Sequence, residues 1–368
     1  MTGQALPSSG RPGLDRPLCV FADQDRVKPT DPYIPLLFPF LGKSEAEKRK
    51  YDGQRFDVLM ERGPSFLQLA SIAEADCVVS PVEWQEDGRE EWTRELSRQA
   101  ESAGKPFFVL YNADSPEPLD LAYGQVVRTS LFRRHRRPNE CALPAWADDH
   151  LITRCGGTLT VRSYAEVPTV GYSGYSNERT LRGLLRRARQ SVLGLWTGRR
   201  RPRSASDEAV SLRGRALRAV GRTPGLRLNF VRRESGLTGT ATIRQREEFV
   251  DNLLASDYAL VARGAGNFSY RLYEAMSLGR IPLFVDTDCV LPLEDVVPYR
   301  SLMPFVDEKD VGDAGRRLLA YHRRLTPAEF AERQMRCRAV WEEFLSPHGF
   351  FANFWRLLPN TAAGRAAG

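Results

Sequence analysis

Residues 258–295 read YALVARGAGNFSYRLYEAMSLGRIPLFVDTDCVLPLED. The order is strand, glycine-rich loop, helix, strand, loop. Residues 258–262 form an apolar run that ends at Arg263. Residues 263–269 (RGAGNFS) are small and turn-forming. Residues 270–278 hold helix formers with neither Gly nor Pro, and Gly279 stands where a glycine ends a helix. Residues 281–285 are a second apolar run. At this length the two strands are parallel and joined by a crossover helix.

That geometry has a chemical consequence. The loop brings free backbone N–H groups and the positive end of a helix dipole to the C-terminal edge of a strand, a combination that binds phosphate. Gly264 and Gly266 let a ligand approach the backbone. Arg263 at the strand end and Arg271 in the first helical turn offer forked donors to phosphate oxygens. Asn267 and Ser269 lie in the same loop. Glu274, three residues beyond Arg271, shares its helix face. A carboxylate does not ligate phosphate but accepts hydrogen bonds from a ribose diol. Donors for phosphate beside an acceptor for ribose point to a nucleoside diphosphate. The alternative is a plain connection with an Arg271–Glu274 surface ion pair. The pattern is neither G-x-G-x-x-G nor a P-loop.

The run 256–306 resembles the exostosin family of glycosyltransferases. The resemblance is carried by Arg263-Gly264, Ser-x-Arg-Leu-x-Glu-Ala at 269–275, Gly-x-Ile-Pro at 279–282, Leu-Pro-x-Glu-Asp at 291–295 and LMPFV at 302–306. Weaker echoes precede it in family order: EADCVVSP (74–81), PFFVLYNAD (106–114), VVRTSLF (126–132) and VPTVGYSG (167–174). The resemblance implies an α/β fold of GT-B type, two Rossmann-like domains facing a cleft. It implies an inverting transferase that uses a nucleotide sugar as co-substrate and a glycan or lipid-linked glycan as acceptor in cell-surface polysaccharide synthesis.

The chain has 368 residues, 42% hydrophobic and 27% charged, which suits two globular domains. We expect a leader at 1–15, an acceptor-side domain at 16–150, a nucleotide-sugar domain at 151–345, and a terminal helix and tail at 346–368. No stretch approaches the ~18–20 apolar residues of a membrane span. The polar, Pro/Gly-rich start lacks an apolar signal core, so a cytoplasmic protein is expected, unlike the anchored animal exostosins. The six cysteines have no C-x-x-C spacing and the four histidines form no metal motif. The net charge of +7 is uneven: residues 179–233 hold sixteen Arg, no Lys and two acids, leaving −7 for the remainder. This basic insertion is either a solvated, partly helical excursion or a contact with the anionic inner face of a membrane. Few aromatics and no binding motif argue against nucleic acid.

Elsewhere, strands are expected at 17–22, 55–60, 76–82, 105–111, 125–131, 167–172, 226–231 and 302–306. Helices are expected at 66–73, 88–103, 178–196, 207–221, 243–256, 310–325, from the Thr326-Pro327-Ala328-Glu329 capping box to about residue 345, and at 348–358. Residues 28–40 read as a Pro-rich loop on the surface or in the cleft. The linker falls in or just after 136–157, which lacks periodicity.

An inverting transfer needs a base for the acceptor hydroxyl and stabilisation for the departing diphosphate. Arg263, Arg271 and the loop N–H groups meet the second need. The base comes from the first half, with Glu83 and Asp114, each after a strand, as the candidates; Asp23 and Asp25 are weaker ones. Trp84 stacks on a sugar or fills the core. Asp286-Thr287-Asp288 has the D-x-D form of metal-dependent transferases, the rival enzyme reading. By resemblance it lies beyond the donor site, so no metal or other cofactor is expected. The non-enzyme rivals are a nucleotide-sugar binder without turnover and an Arg-rich scaffold on membrane or nucleic acid.

Overall fold

A computed structural model of the chain describes residues 16–49, 53–85, 89–176, 204–233 and 243–359. Apolar runs build two parallel sheets. The first contains β1 (Leu18–Phe21), β2 (Leu67–Leu69), β3 (Cys77–Val79), β4 (Phe107–Tyr111), β5 (Gln125–Arg128) and β6 (Glu140–Ala142), in the order β2-β1-β3-β4-β5-β6. The second contains β7 (Thr169–Tyr175), β8 (Arg227–Arg233), β9 (Tyr258–Val261), β10 (Ile281–Asp286) and β11 (Phe305–Asp307), in the order β11-β10-β9-β7-β8. Every strand pair in both is parallel. Central strands such as β4 and β9 are buried along their length, as a sheet covered on both faces requires.

Of the longer helices, α1 (Asp57–Arg62), α2 (Glu90–Ser102) and α3 (His150–Cys155) precede β7. Then come α4 (Ala205–Gly221), α5 (Ile243–Leu254), α6 (Tyr270–Ser277), α7 (Ala314–His322), α8 (Pro327–Val340) and α9 (Pro347–Ala352). The capping box read at Thr326 and Glu329 is present and starts α8. Gly279, at φ 65°, turns the chain out of α6 into β10, as read.

Three sequence readings are corrected. Residues 55–60, expected as a strand, are a 3₁₀ turn running into α1; Phe56 and Leu59, three apart, are its buried face. Residues 66–73, expected as a helix, supply β2: Gly63 and Pro64 end the preceding helix, and Leu67 and Leu69 pair with Leu18 and Val20. The stretch 136–157 is not bare linker. It supplies the sixth strand and α3, whose N-cap Asp149 accepts from the Leu151 and Ile152 N–H groups. The Pro-rich stretch 28–40 places Ile34, Leu36 and Leu37 wholly in the core. The helix expected at 178–196 and the ends 1–15 and 360–368 lie outside the described residues.

The two sheets meet at their C-terminal edges, as the GT-B expectation requires. Beyond β5, Ser130 Oγ accepts from Asn267 N (3.0 Å) and Leu131 O from Asn267 Nδ2 (3.1 Å). Beyond β10, Asp288 O accepts from Arg133 N (2.8 Å), and the Arg133 guanidinium holds both oxygens of Glu294 at 2.8 and 2.7 Å. The chain then returns to the first sheet. Phe350 and Phe351 of α9 pack on Trp146, and Phe354 meets Phe108 of β4. A short π-helical turn at Trp341–Leu345 sets up this return.

Candidate functional site

The loop after β9 is closed by a hydrogen bond from Gly264 N to Phe268 O (2.9 Å). Its two glycines differ. A Cβ on Gly264 would meet only Phe268 O, at 3.7 Å, so the protein itself does not demand a glycine there. A Cβ on Gly266 would stand 2.7 Å from the Phe268 ring and 2.9 Å from Asp114 Cα. Gly266 is therefore where the two halves touch, and its N–H donates to Asp114 Oδ1 at 3.1 Å. Ser269 is the N-cap of α6 in extended backbone, yet its hydroxyl makes no capping bond. The first N–H groups of α6 are left without the usual side-chain acceptor.

Two of the three arginines around this loop have no acidic partner among the described residues. Arg271 lies over the Tyr172 ring (4.4 Å to the centroid) and donates to Ser173 O. Its path needs Gly174, where a Cβ would come within 2.7 Å of Nη2. Arg213, from α4, is half-buried and donates to Ala209 O. Burial is the main cause that pushes its pKa below the ordinary value; nearby Arg271 pushes the same way, and Tyr172 opposes. Among the described residues neither guanidinium has a carboxylate within ion-pair distance. Arg263 has one, exposed Glu208 at 3.2 Å, and otherwise curls onto the carbonyls of Gly264 and Ala265. Nε of Arg263 and Arg271 and Oγ of Ser173 and Ser176 are buried without partners. Half-buried cations without acids and orphaned polar atoms are costly. Gathered at a strand end beside an uncapped helix N-terminus, they form a place for a polyanion.

Glu274 lies one turn along α6 with His150 beside it, Nε2 to Oε1 3.9 Å. Both Arg271 and His150 approach the Phe249 ring, which places the arginine and the Glu274 carboxylate in one neighbourhood.

Of the base candidates, Asp114 is brought to the loop: it is exposed, with one oxygen held by Gly266 N–H. Glu83 lies just beyond β3, next to the bridge from Val82 to Tyr33. Asp23 accepts from Trp92 Nε1 (2.8 Å), on the α2 side of the first sheet. Trp84 is buried among Leu96, Phe107 and Val126, a core residue. Asn267 is wholly buried; besides its bonds to Ser130 and Leu131 it accepts from Thr287 Oγ1 at 2.5 Å. It joins the halves rather than facing open space. The D-x-D stretch serves the same seam. Asp286 Oδ1 takes Cys289 N (3.0 Å), and Asp288, at φ 65°, takes Arg134 N (3.0 Å). Among the described residues no group of three or more His, Cys, Asp or Glu is placed to hold a metal ion.

Sequence reasoning missed Arg213 and His150. Arg213 was hidden in an arginine-rich run, yet it sits four residues from both Ala209 and Leu217. It therefore interrupts the apolar stripe of α4, and that was a readable signal. His150 lay in residues taken as linker. Among the described residues no helix is long and apolar enough to cross a membrane.

No family model matches the chain. A 63-residue stretch is 36% identical to the Arabidopsis thaliana protein named Probable beta-1,4-xylosyltransferase IRX10L, covering 17% of this chain and 15% of that protein. Two rice proteins (Oryza sativa subsp. japonica) named as probable glucuronosyltransferases match over the same length at 36% and 35% identity. The matched stretch spans about a seventh of these relatives' own length. A solved structure of a S. aureus TarM mutant, in complex with Fondaparinux, alpha-GlcNAc-glycerol and UDP, aligns with 77% of this chain and 55% of that one. Its identity is 9% and its TM-score 0.36, too low to rest anything on.

Proposed function

We propose that the chain is an exostosin-like, inverting glycosyltransferase whose donor is a nucleoside diphosphate sugar. The observation that carries this is the pair Arg213 and Arg271, two guanidinium groups at the end of β7 with no carboxylate partner among the described residues. A diphosphate is the dianionic or trianionic group that such a pair and the α6 N-terminus fit. Similarity of a short stretch to named xylosyl- and glucuronosyltransferases supports the same reading.

In this reading the acceptor hydroxyl attacks the anomeric carbon from the face opposite the diphosphate. Asp114 takes the hydroxyl proton. The bond between anomeric carbon and phosphate oxygen breaks, and its electron pair goes to the diphosphate. Arg271, Arg213, Arg263 and the α6 N–H groups stabilise that growing charge. Gly264, with no Cβ, lets the diphosphate lie against the loop, and Glu274 accepts from the ribose. Arg263 would exchange Glu208 for phosphate. The acceptor is a hydroxyl of a glycan or lipid-linked glycan in surface polysaccharide synthesis, at the cytoplasmic side of a membrane. The remaining arginines of 179–233 offer the contact with anionic lipid.

The test is a panel of nucleotide sugars followed by NMR. One of them should lose its sugar slowly to water and faster to an added glycan, with the anomeric configuration inverted, and Arg271→Met should abolish both. If no nucleotide sugar is consumed or bound, the reading is wrong.

A further inference from the structure

His150 is a loose end in this site. It is 8% exposed, and its Nε2 is buried without a hydrogen-bond partner. The nearest carboxylate oxygen, Glu274 Oε1, is at 3.9 Å, beyond hydrogen-bond reach. A buried ring nitrogen without a partner is costly and calls for an explanation. The ring has little freedom. Its residue opens α3, where Asp149 caps the helix and is itself gripped by Arg338 through two bonds of 2.6 and 2.8 Å. Arg338 also donates to Ser277 O at the end of α6 (2.8 Å). Leu151 packs with Phe249, Ala275 and Leu278. The imidazole is thus anchored to the helix that carries Glu274, whose side chain is 21% exposed.

Resting on the donor reading above, we propose that His150 is a positioning residue that makes the site select ribose over 2-deoxyribose. When a ribose diol donates to the outer edge of the Glu274 carboxylate, Oε1 moves by about 1 Å onto His150 Nε2–H, closing the gap to hydrogen-bond length. The histidine holds the carboxylate in the rotamer that meets both hydroxyls. A 2′-deoxy ligand offers one hydroxyl and does not draw the carboxylate inward.

The experiment is calorimetry of the full chain with ADP, CDP, GDP and UDP and their 2′-deoxy counterparts. The best ribonucleotide should bind about tenfold or more tighter than its deoxy form. His150→Ala should bring that ratio close to one with the deoxy affinity unchanged, and His150→Gln, which keeps an N–H donor, should restore most of it. Glu274→Ala should erase the ratio too, and the double variant should be no worse than Glu274→Ala alone. A merely structural histidine would weaken both ligand series alike. Two outcomes overturn the proposal while leaving the donor reading intact: diphosphates bind without ribose preference, or the preference survives His150→Ala. If none of the eight nucleotides binds, the donor reading fails and takes this proposal with it. Should His150→Ala not fold, His150→Phe, which fills the space without an N–H donor, should lose the ratio, and a ratio retained in His150→Phe overturns the proposal.

Discussion

Gly264→Ala separates folding from binding. The added methyl meets only Phe268 O at 3.7 Å, and the glycine's φ lies outside the left-handed region. The fold therefore accommodates it, and the unfolded chain loses freedom. The expected change is about 0.4–1 kcal/mol of added stability, a rise in melting temperature of no more than a few degrees. The methyl points into the space where the diphosphate would approach the loop. Nucleoside diphosphate affinity should fall at least about tenfold, about 1.4 kcal/mol. Gly266→Ala should behave in the opposite sense. Its methyl would press within 2.9 Å of Asp114 Cα, and overpacking there should cost about 1–3 kcal/mol of stability. Thermal melts and calorimetric titrations of the two variants are the assay. A Gly264→Ala protein that melts several degrees lower, or that binds diphosphates as the wild type does, refutes the reasoning.

Other outcomes follow from the seam and the core. Asn267→Ala removes two side-chain hydrogen bonds from a wholly buried position and should cost about 2–4 kcal/mol in a denaturant titration. Phe350→Ala, which removes one of the two α9 rings packed on Trp146, should cost about 3–5 kcal/mol. His322 and His348 are both held below 6.5, chiefly by burial. Below 6.5 the unfolded chain takes up protons that the fold refuses, so stability is full above that value. It is lost as pH falls through the lower folded values. The melting temperature should therefore drop as pH falls below about 6.5, and a flat profile across that range would contradict this.

The region 258–295 was legible because each level agreed: apolar runs, Gly279 at positive φ, and a helix former stretch between them. The first half was less so. Residues 55–60 and 66–73 exchanged helix and strand because short apolar runs fit either period, and pairing of Leu67 and Leu69 with β1 decided the second. The site residues divided in the same way. Arg271 stands in the first turn of α6, where local spacing put it, whereas Gly266 meets Asp114 of the first half. Asn267 and Asp288 turned into ties between the sheets, because what they meet, Ser130, Leu131 and Arg134, lies more than a hundred residues away. Arg213 was readable only as a break in the apolar stripe of α4, and His150 depends on the packing of α3 beside α6, which no local pattern reports.

The central claim is that Arg213 and Arg271 hold a diphosphate. The most direct test is the affinity of Arg213→Met, set beside wild type, for a nucleoside, its monophosphate and its diphosphate. Methionine keeps the apolar stem and removes a half-buried, unpaired charge. The account predicts that this variant melts higher than wild type, binds the nucleoside equally, and binds the diphosphate at least about tenfold more weakly. Wild-type protein that binds all three ligands alike, or a variant that keeps full diphosphate affinity, would contradict it.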